Sequence, residues 1–357
     1  MRDALVGMLE DVWPEVVQDT LGDAKSAAAD LHIAAQAWSE DSGSETARDQ
    51  AQTAWFEAMD AWQQMELMQL GPAGSSLKVI GGQDLRDEIY SWPTTNPCRV
   101  DQATARLEFE ANDFFDTALV NSTGLDALET VIFSTPNEND CPAQVSINSE
   151  GTWAALGADG VAAARADYAV VLAKQVVSDI AGIENRWTDG FSNNLKTAGQ
   201  SGSDFESELV AVNAIFDAIF YLEVQVKDHK LGWALGITDC GKDDCSDELE
   251  SPTAGSSQRW LAANLRGFRH LYTGGEGLGL EDLLVAVGEE SLANEVIAAL
   301  NEADTAVAAI DNPLDIASED SLTEAHQAVK AVTDLLKSDI ATVLTLSLPT
   351  EAAGDAD

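Results

Sequence analysis

The sequence predicts an all-α protein built from two helical bundles, each like a four-helix bundle, packed side by side with a cleft between them. The first observation is that apolar side chains recur every three or four residues over long segments, as on one face of a helix. The second is that the alternating pattern of a half-buried strand is nearly absent. With 357 residues and a hydrophobic content of 45%, the chain can bury large cores.

The predicted helices follow one another along most of the chain. The segments 205–228 and 321–346 show the clearest apolar stripes, and their lengths are typical of bundle helices. In chain order, the helices are predicted at about 5–38, 45–69, 102–119, 124–134, 160–188, 205–228, 259–272, 290–310 and 321–346.

Turn-forming residues divide these helices into groups. The segment 134–159 separates two groups of helices, and we therefore take it as the connection between two domains. This predicts an N-terminal bundle over 1–140 and a C-terminal bundle over 141–357. Residues typical of loops are concentrated at 71–76, 92–97, 134–142 and 236–257.

The charge of the chain is strongly negative. There are 62 Asp and Glu residues against 19 Lys and Arg, which gives a formal net charge of −43. Such a surface repels phosphate backbones and anionic membranes, so we expect no nucleic-acid partner. The same self-repulsion favours a monomer. No apolar run in the sequence suggests a membrane span.

Four cysteines lie in segments predicted as loops. Zinc sites need more Cys or His ligands at matching spacing than this sequence offers, so we expect disulfides and an oxidising compartment. Of the three pairings that four cysteines allow, we favour Cys98 with Cys141 and Cys240 with Cys245. The turn CGKDDC at 240–245 would offer Asp243 and Asp244 to calcium, but its spacing is not that of an EF-hand loop.

Two acidic side chains lie in the apolar segment GLDALETVIF at 124–133. Asp126 and Glu129 are three residues apart, so both carboxylates lie on one helical face and could hold a hard cation. The alternative is structural, because Thr123 followed by Asp126 has a spacing like that of a capping box. Pro136 is expected to help end this helix.

Several segments together resemble the imelysin-like family. GLDALETVIF resembles the family's GxHxxE helix, with Asp126 in place of histidine. The other similar segments occur in the family's order: AWFEAMDAWQQMELMQLGP at 54–72, LRDEIYSWP at 85–93, KLGWALGI at 230–237, and ES at 250–251 followed by NLRGFRHLYTG at 264–274. The resemblance spans roughly residues 10–345.

The resemblance implies a fold and a cellular role. Members of this family have two helical bundles related by approximate symmetry, with a proposed site in the cleft between them. They are periplasmic or lipid-anchored bacterial proteins, often linked to iron uptake, and some are catalogued as metallopeptidases. We therefore expect a periplasmic or outer-membrane-attached protein whose signal peptide has been removed, because the start MRDALVGMLEDVW lacks the layout of a leader.

The resemblance also implies the site. The family's metal-binding pair corresponds here to Asp126 and Glu129, and the exchange of histidine for aspartate shifts the preference toward iron(III), calcium, magnesium or manganese. The expected partner is a metal ion or a metal chelate. Further residues are candidates for the cleft, each with a structural alternative as an exposed, capping or ion-paired group: Glu66, Ser251, Ser256, Arg266 and Arg269.

The resulting prediction is an exported, metal-associated binding protein that is linked to iron uptake and has no catalytic turnover. One alternative is a metallopeptidase, which would need three protein ligands and a base, whereas the sequence has no HExxH and only four scattered histidines. Of these, His270 stands out because it lies within NLRGFRHLYTG. The other alternative is a scaffold or interaction protein that has lost the metal site.

Overall fold

The computed structural model describes residues 1–135, 137–242, 245–311 and 314–353. Within these ranges the secondary structure is helical and contains no strands, which confirms the predicted all-α class. Pro136, Asp243 and Asp244 lie outside the described residues. The α-helices are α1 Arg2–Asp11, α2 Gln18–Glu40, α3 Glu45–Met65, α4 Leu85–Ile89, α5 Pro97–Arg106, α6 Phe114–Thr117, α7 Gly124–Phe133, α8 Ser146–Ser149, α9 Thr152–Arg186, α10 Ser192–Lys196, α11 Glu208–Ile219, α12 Gly232–Leu235, α13 Ser257–Thr273, α14 Leu280–Ala286, α15 Glu290–Ala308, α16 Glu319–Leu335, α17 Ala341–Leu344 and α18 Thr350–Ala353.

Several predicted helices continue through wider, π-helical turns. The segment predicted at 5–38 consists of α1 and α2 joined by the π-helical stretch Val12–Val17, and Leu222–Leu231 continues the path of α11 in the same way. Such turns insert an extra residue per turn and shift the side chains around the helix. In the first of them, Trp13 stacks on Trp187 with ring centroids 5.0 Å apart.

The continuous helix predicted at 102–119 is wrong. α5 begins at Pro97, where the Asn96 side chain accepts a hydrogen bond from the Arg99 backbone N–H at 3.0 Å. It ends at Leu107, whose φ of 53° is left-handed and cannot continue a right-handed helix. Only the short α6 follows within the predicted range.

Contacts divide the chain into two compact units. Unit 1 comprises Met1–Gly22, Asp60–Asp84 and Ile183–Asp357, whereas unit 2 comprises Asp23–Met59 and Leu85–Gly182. Each unit is therefore assembled from separate stretches of sequence. The sequential division into 1–140 and 141–357 stays a prediction about folding units.

Unit 2 is organised around α7. This helix packs against α4 and α5, and nine consecutive residues of it are buried. The Cys98–Cys141 disulfide is formed as predicted, and both cysteines pack in an apolar cluster with Ile147 and Trp153. The core of unit 2 therefore extends beneath the loop that follows α7.

The segment predicted as an interdomain connection, 134–159, lies wholly within unit 2. Arg165 of α9 is 1% exposed and donates hydrogen bonds to the carbonyls of Ser134 at 3.1 Å and Thr135 at 2.7 Å. It also forms an ion pair with buried Asp101 at 3.0 Å. One buried guanidinium thus holds the loop to the helices of its own unit.

Unit 1 contains the remaining long helices. α15 packs on α13 and α16, and Leu222–Leu231 packs on the same two helices. The predicted Cys240–Cys245 disulfide is also present. The helices α13, α15 and α16 bury large apolar side chains, among them Trp260, Phe268, Val296, Leu300, Leu322 and Val329.

One helical stretch of unit 1 is more apolar than the sequence analysis suggested. By length and composition alone, the stretch Glu208–Leu235 is apolar enough to cross a membrane over a window of 18 residues. However, 56% of that window is buried inside the protein. A core helix has the same composition, so the finding is weak support for a membrane span.

Candidate functional site

The start of α7 is fixed by a glycine. Gly124 has a φ of 74°, and a side chain there would bring its Cβ within 2.5 Å of the Ile89 carbonyl oxygen. Only glycine tolerates both conditions. The close approach brings the first turn of α7, which carries Asp126, against the backbone that follows α4.

Asp126 is bound to that backbone. Its Oδ2 atom accepts hydrogen bonds from the Ser91 N–H at 2.6 Å and from the Ser91 hydroxyl at 3.0 Å. Asp126 and Ser91 are only 4% and 3% exposed. Ser91 directly precedes the cis peptide Trp92–Pro93. The carboxylate therefore holds the Trp-Pro segment in place.

The capping box proposed as an alternative is not formed. Thr123 is the N-cap of α7, but its side chain makes no capping hydrogen bond and donates instead to the Val120 carbonyl at 3.3 Å. Asp126 is directed to Ser91, which lies 35 positions earlier in the sequence. The acidic first turn thus makes a tertiary contact with a distant segment.

Glu129 lies on the next turn of α7 and is 7% exposed. The rest of the helix is anchored through its carbonyl groups. Trp55 donates its indole N–H to the Leu125 carbonyl at 2.9 Å, and Arg48 donates to the Ile132 carbonyl at 2.7 Å. Burial lowers the pKa of Arg48, and the nearby Arg165 lowers it further. α7 is a rigid element that holds both carboxylates at fixed positions.

The other residues predicted for the cleft all belong to unit 1. Glu66 lies in the short 3₁₀ turn Glu66–Met68 and is completely buried. Ser251 has a φ of 49° and accepts a hydrogen bond from the Trp260 indole N–H at 2.8 Å. Ser251 therefore helps to position α13.

Ser256 is the N-cap residue of α13, as expected, but its hydroxyl makes no capping bond. Ser256 is 6% exposed, and within the described residues its hydroxyl oxygen has no hydrogen-bond partner. The next residue, Ser257, donates instead to the Glu250 carbonyl. The predicted capping role of Ser256 is wrong.

Arg266 and Arg269 are paired with acids of unit 1. Arg266 contacts Asp60 at 2.7 Å, and Arg269 contacts Asp304 at 2.7 Å. Both guanidinium groups are partly exposed, so each pair contributes little to stability. The structural alternative of pairing with carboxylates is confirmed for both arginines. Their predicted role with an anionic ligand stays a prediction.

His270 also has a structural place. Its Nε2 lies 3.1 Å from the Glu15 carbonyl oxygen, and its Nδ1 lies 3.3 Å from the Thr20 hydroxyl. Glu15 belongs to the wide turn Val12–Val17, and Thr20 lies just beyond it. The histidine therefore links α13 to the turn between α1 and α2.

A buried polar group in unit 1 was not among the predicted site residues. The Lys230 ammonium lies 2.9 Å from Glu250 Oε1, 2.8 Å from Gln63 Oε1 and 2.7 Å from Asn264 Oδ1. Gln63 also donates to Glu250 Oε1 at 2.9 Å. All four side chains are at most 1% exposed. Three acceptors around one ammonium match its three N–H groups, so the Lys230 ammonium is fully hydrogen-bonded inside the core.

Comparison with known protein families covers nearly the whole chain. The family model of imelysin matches residues 17–343. The chain belongs to the imelysin family. No curated protein matches it.

Two solved structures share the imelysin fold with this chain. One is an imelysin-like protein from Psychrobacter arcticum 273-4, with a TM-score of 0.77, 18% sequence identity, and coverage of 98% of both chains. The other is described as an iron-regulated protein A precursor from Parabacteroides distasonis ATCC 8503, with a TM-score of 0.74 and 17% identity over 96% of this chain and 95% of that one. At such low identity, the likeness establishes the fold alone.

A resident metal ion does not fit the residues of this imelysin. Within the described ranges, no three His, Cys, Asp or Glu side chains are grouped closely enough to hold an ion. α7 supplies two carboxylates, and one oxygen of Asp126 already accepts two hydrogen bonds from Ser91. A structural or catalytic metal site needs at least three protein ligands in the usual case.

The Lys230 group shows what the imelysin motifs share. Lys230 lies in KLGWALGI, Glu250 in the ES pair, Asn264 in NLRGFRHLYTG, and Gln63 in the tryptophan-rich segment before Gly71. Their spacing in sequence matches no known ligand-binding motif, so these four residues could not be predicted as a group from the sequence. The available signal is that four distant segments each resemble the family, and residues from all four meet at one ammonium.

Proposed function

We propose that this imelysin is an exported binding protein that is metal-associated, linked to iron uptake, and does not turn over a substrate. The similar structure from Parabacteroides distasonis supports the link, because it is described as iron-regulated and as a precursor. Two disulfides support an oxidising compartment. In this proposal the protein lies in the periplasm or is attached to the outer membrane through a lipid anchor.

The metal is cargo in this proposal, not a resident cofactor. The observation that carries it is the pair of buried carboxylates, Asp126 and Glu129, held three residues apart on the helix that resembles the family's metal-binding element. An all-carboxylate pair prefers hard cations such as iron(III) or calcium. Because the pair supplies two protein groups, a chelator or water must complete the coordination.

Ser91 controls access to the pair in this proposal. Its two hydrogen bonds orient the Asp126 carboxylate while no metal is bound, and both must be exchanged for the cation. The low exposure of both acids requires the segment after α4 to move away during binding. We therefore expect association to be slow compared with binding to an open surface site.

Calorimetric titration tests the proposal. Wild-type protein is titrated with ferric nitrilotriacetate and, separately, with calcium, manganese and zinc salts. We expect ferric or calcium binding that the Asp126→Ala, Glu129→Ala double variant loses. Ser91→Ala is the matched control, because it keeps both carboxylates and should bind the metal at least as tightly as wild type. Equal binding by wild type and the double variant would contradict the proposal.

A scaffold that has lost the metal site is the second candidate. The observation that favours it is the pair of hydrogen bonds from Ser91 to Asp126, since they give this acid a structural role. In that case none of the probes binds, while Asp126→Ala and Ser91→Ala both lower the stability. Absence of turnover is tested separately: chelator-sensitive peptide cleavage with added zinc, lost in Glu129→Gln, would contradict it.

A further inference from the structure

Unit 1 contains a cavity, lined entirely by residues of that unit, which we call the α11 cavity. Its walls come from three segments: the face of α11 and the turn after it, within 209–225; the loop 69–80; and the C-terminal segment 345–351. Its volume is about 930 Å³. Sites for small molecules commonly enclose about 300–1,000 Å³, so the cavity is of a suitable size.

Most of the α11 cavity wall is apolar. α11 and the residues after it contribute aliphatic side chains and the ring of Phe220, and the loop and the C-terminal segment face them with others. Such a surface favours a ligand with a hydrocarbon or aromatic body. Representative apolar lining residues are Val79, Leu209, Ala214, Ala218, Val224 and Leu348.

The charged groups of the wall leave one negative charge uncompensated. Lys78, Asp217 and Glu351 are its charged side chains. Lys78 forms an ion pair with Glu351, and both are well exposed, with 65% and 44% of their side chains accessible. Within the described part of the chain, Asp217 forms no ion pair. The half-buried Asp217 carboxylate is therefore the charge that a ligand meets inside the cavity.

Asp217 is held in place by one amide. Asn213 donates from Nδ2 to Asp217 Oδ1 at 3.1 Å. The orientation of this amide is fixed, because its Oδ1 accepts hydrogen bonds from the Ser347 backbone N–H at 2.7 Å and the Ser347 hydroxyl at 3.2 Å. Asn213 thus secures the C-terminal wall and orients the carboxylate at once.

The environment raises the pKa of Asp217 to about 6. Burial is the largest cause, the hydrogen bond from Asn213 opposes it, and the negative charge of Glu351 adds to it. At neutral pH the carboxyl is ionised but poorly solvated. A bound cation would relieve this unfavourable state.

We propose that the α11 cavity binds a small organic cation, whose ammonium group contacts the Asp217 carboxylate and whose apolar body packs against α11 and Leu348. Neutral ligands would leave the charge uncompensated, and anionic ligands would be repelled by it. This inference goes beyond the proposed function, since it concerns other residues and another ligand class. Failure of one proposal leaves the other standing.

Calorimetry with three matched probes tests the site: phenethylammonium, its neutral analogue phenethyl alcohol, and the anion hydrocinnamate. We expect phenethylammonium to bind at least about tenfold more tightly than the alcohol, because a charge-assisted hydrogen bond is stronger than a neutral one. Hydrocinnamate should not bind. Ala214→Phe fills the cavity and should abolish the binding of phenethylammonium and of phenethyl alcohol.

The variant Asp217→Asn keeps the shape of the side chain and removes its charge. It should reduce phenethylammonium affinity to that of the alcohol, while the alcohol's own affinity stays within about twofold. Asp189→Asn is the control, because Asp189 is exposed and does not line the cavity. Equal binding of ammonium and alcohol to wild type, unchanged ammonium binding in Asp217→Asn, or no binding of any probe would overturn the proposal.

The same titration has a pH readout. Lowering the pH from about 8 to about 5 should weaken phenethylammonium binding roughly tenfold, because Asp217 takes up a proton near its raised pKa of about 6. Glu351 faces the same space but stays ionised, since its hydrogen bond with Lys78 lowers its pKa. A pH-independent ammonium affinity would overturn the assignment to Asp217.

Discussion

Asp126 in unit 2 is nearly fully buried and Asp217 in unit 1 is half-buried, and the two carboxylates differ in how their charge is balanced. Asp126 accepts two hydrogen bonds from Ser91 and belongs to a helix that is buried along nearly its whole length. Asp217 accepts one from Asn213 and faces a cavity. Burial alone therefore does not distinguish a structural carboxylate from a binding one. The number of hydrogen-bond donors around the carboxylate is the more informative quantity.

In the Lys230 group, a buried carboxylate is balanced by an opposite charge. Here the charge of Glu250 is met by an ammonium, and that ammonium is surrounded by acceptors from three other motifs. The order from Lys230 through Asp126 to Asp217 is thus an order of decreasing compensation. If compensation determines which groups are structural, the cost of removing a group should fall in the same order.

Removal of Lys230 should have the largest effect. Lys230→Met removes the ammonium that balances the charge of buried Glu250, which costs about 3–5 kcal/mol of the free energy of unfolding. Chemical denaturation measures it. Lys330→Met is the matched control, because Lys330 forms a partly exposed pair with Asp334 and should cost less than about 1 kcal/mol. Similar losses for both variants would break the comparison.

The variant Asp126→Ala should have an intermediate effect. It leaves the N–H and hydroxyl of Ser91 without an acceptor in a buried position, which costs about 1–3 kcal/mol. Asp126→Asn keeps one acceptor oxygen for these donors and should cost less than about 1 kcal/mol. Equal denaturation midpoints for the two variants would show that Ser91 does not depend on Asp126.

Neutralisation of Asp217 should have the smallest effect, and in the opposite direction. Its raised pKa means that the folded protein holds the proton more tightly than the unfolded chain. Its contribution to stability is full below the ordinary value of 3.8 and is lost as the pH rises through about 6. Asp217→Asn should therefore stabilise the protein at neutral pH by on the order of 1 kcal/mol, after solvent screening, and this gain should vanish in acid. A pH-independent difference would contradict it.

Local signals account for much of the fold. The helical class, the extent of α7 and α15, and both disulfides could be predicted, because periodicity and loop cysteines act over short distances. The break at Leu107 was missed, since a leucine in left-handed conformation has no local sequence signal. The contact-based units draw on separate stretches of sequence, and contacts between distant segments leave no local sequence signal.

The candidate site could be predicted in part. The family pattern located α7 and its two carboxylates, but not the partner of Asp126, because Ser91 lies 35 positions away in sequence. Lys230 and Asn264 lay inside quoted motifs, yet their meeting required the fold. Asp217 was inconspicuous, since its significance comes from the walls that surround it.

The central claim is that the α7 carboxylates bind a metal cargo. Asp217 in the α11 cavity takes no part in this metal binding. The most direct measurement is the affinity for ferric nitrilotriacetate of wild type, Asp126→Asn and Asp217→Asn, determined by calorimetry at neutral pH. We expect Asp126→Asn to bind at least about tenfold more weakly while Asp217→Asn matches wild type. An unchanged affinity in Asp126→Asn would contradict the claim.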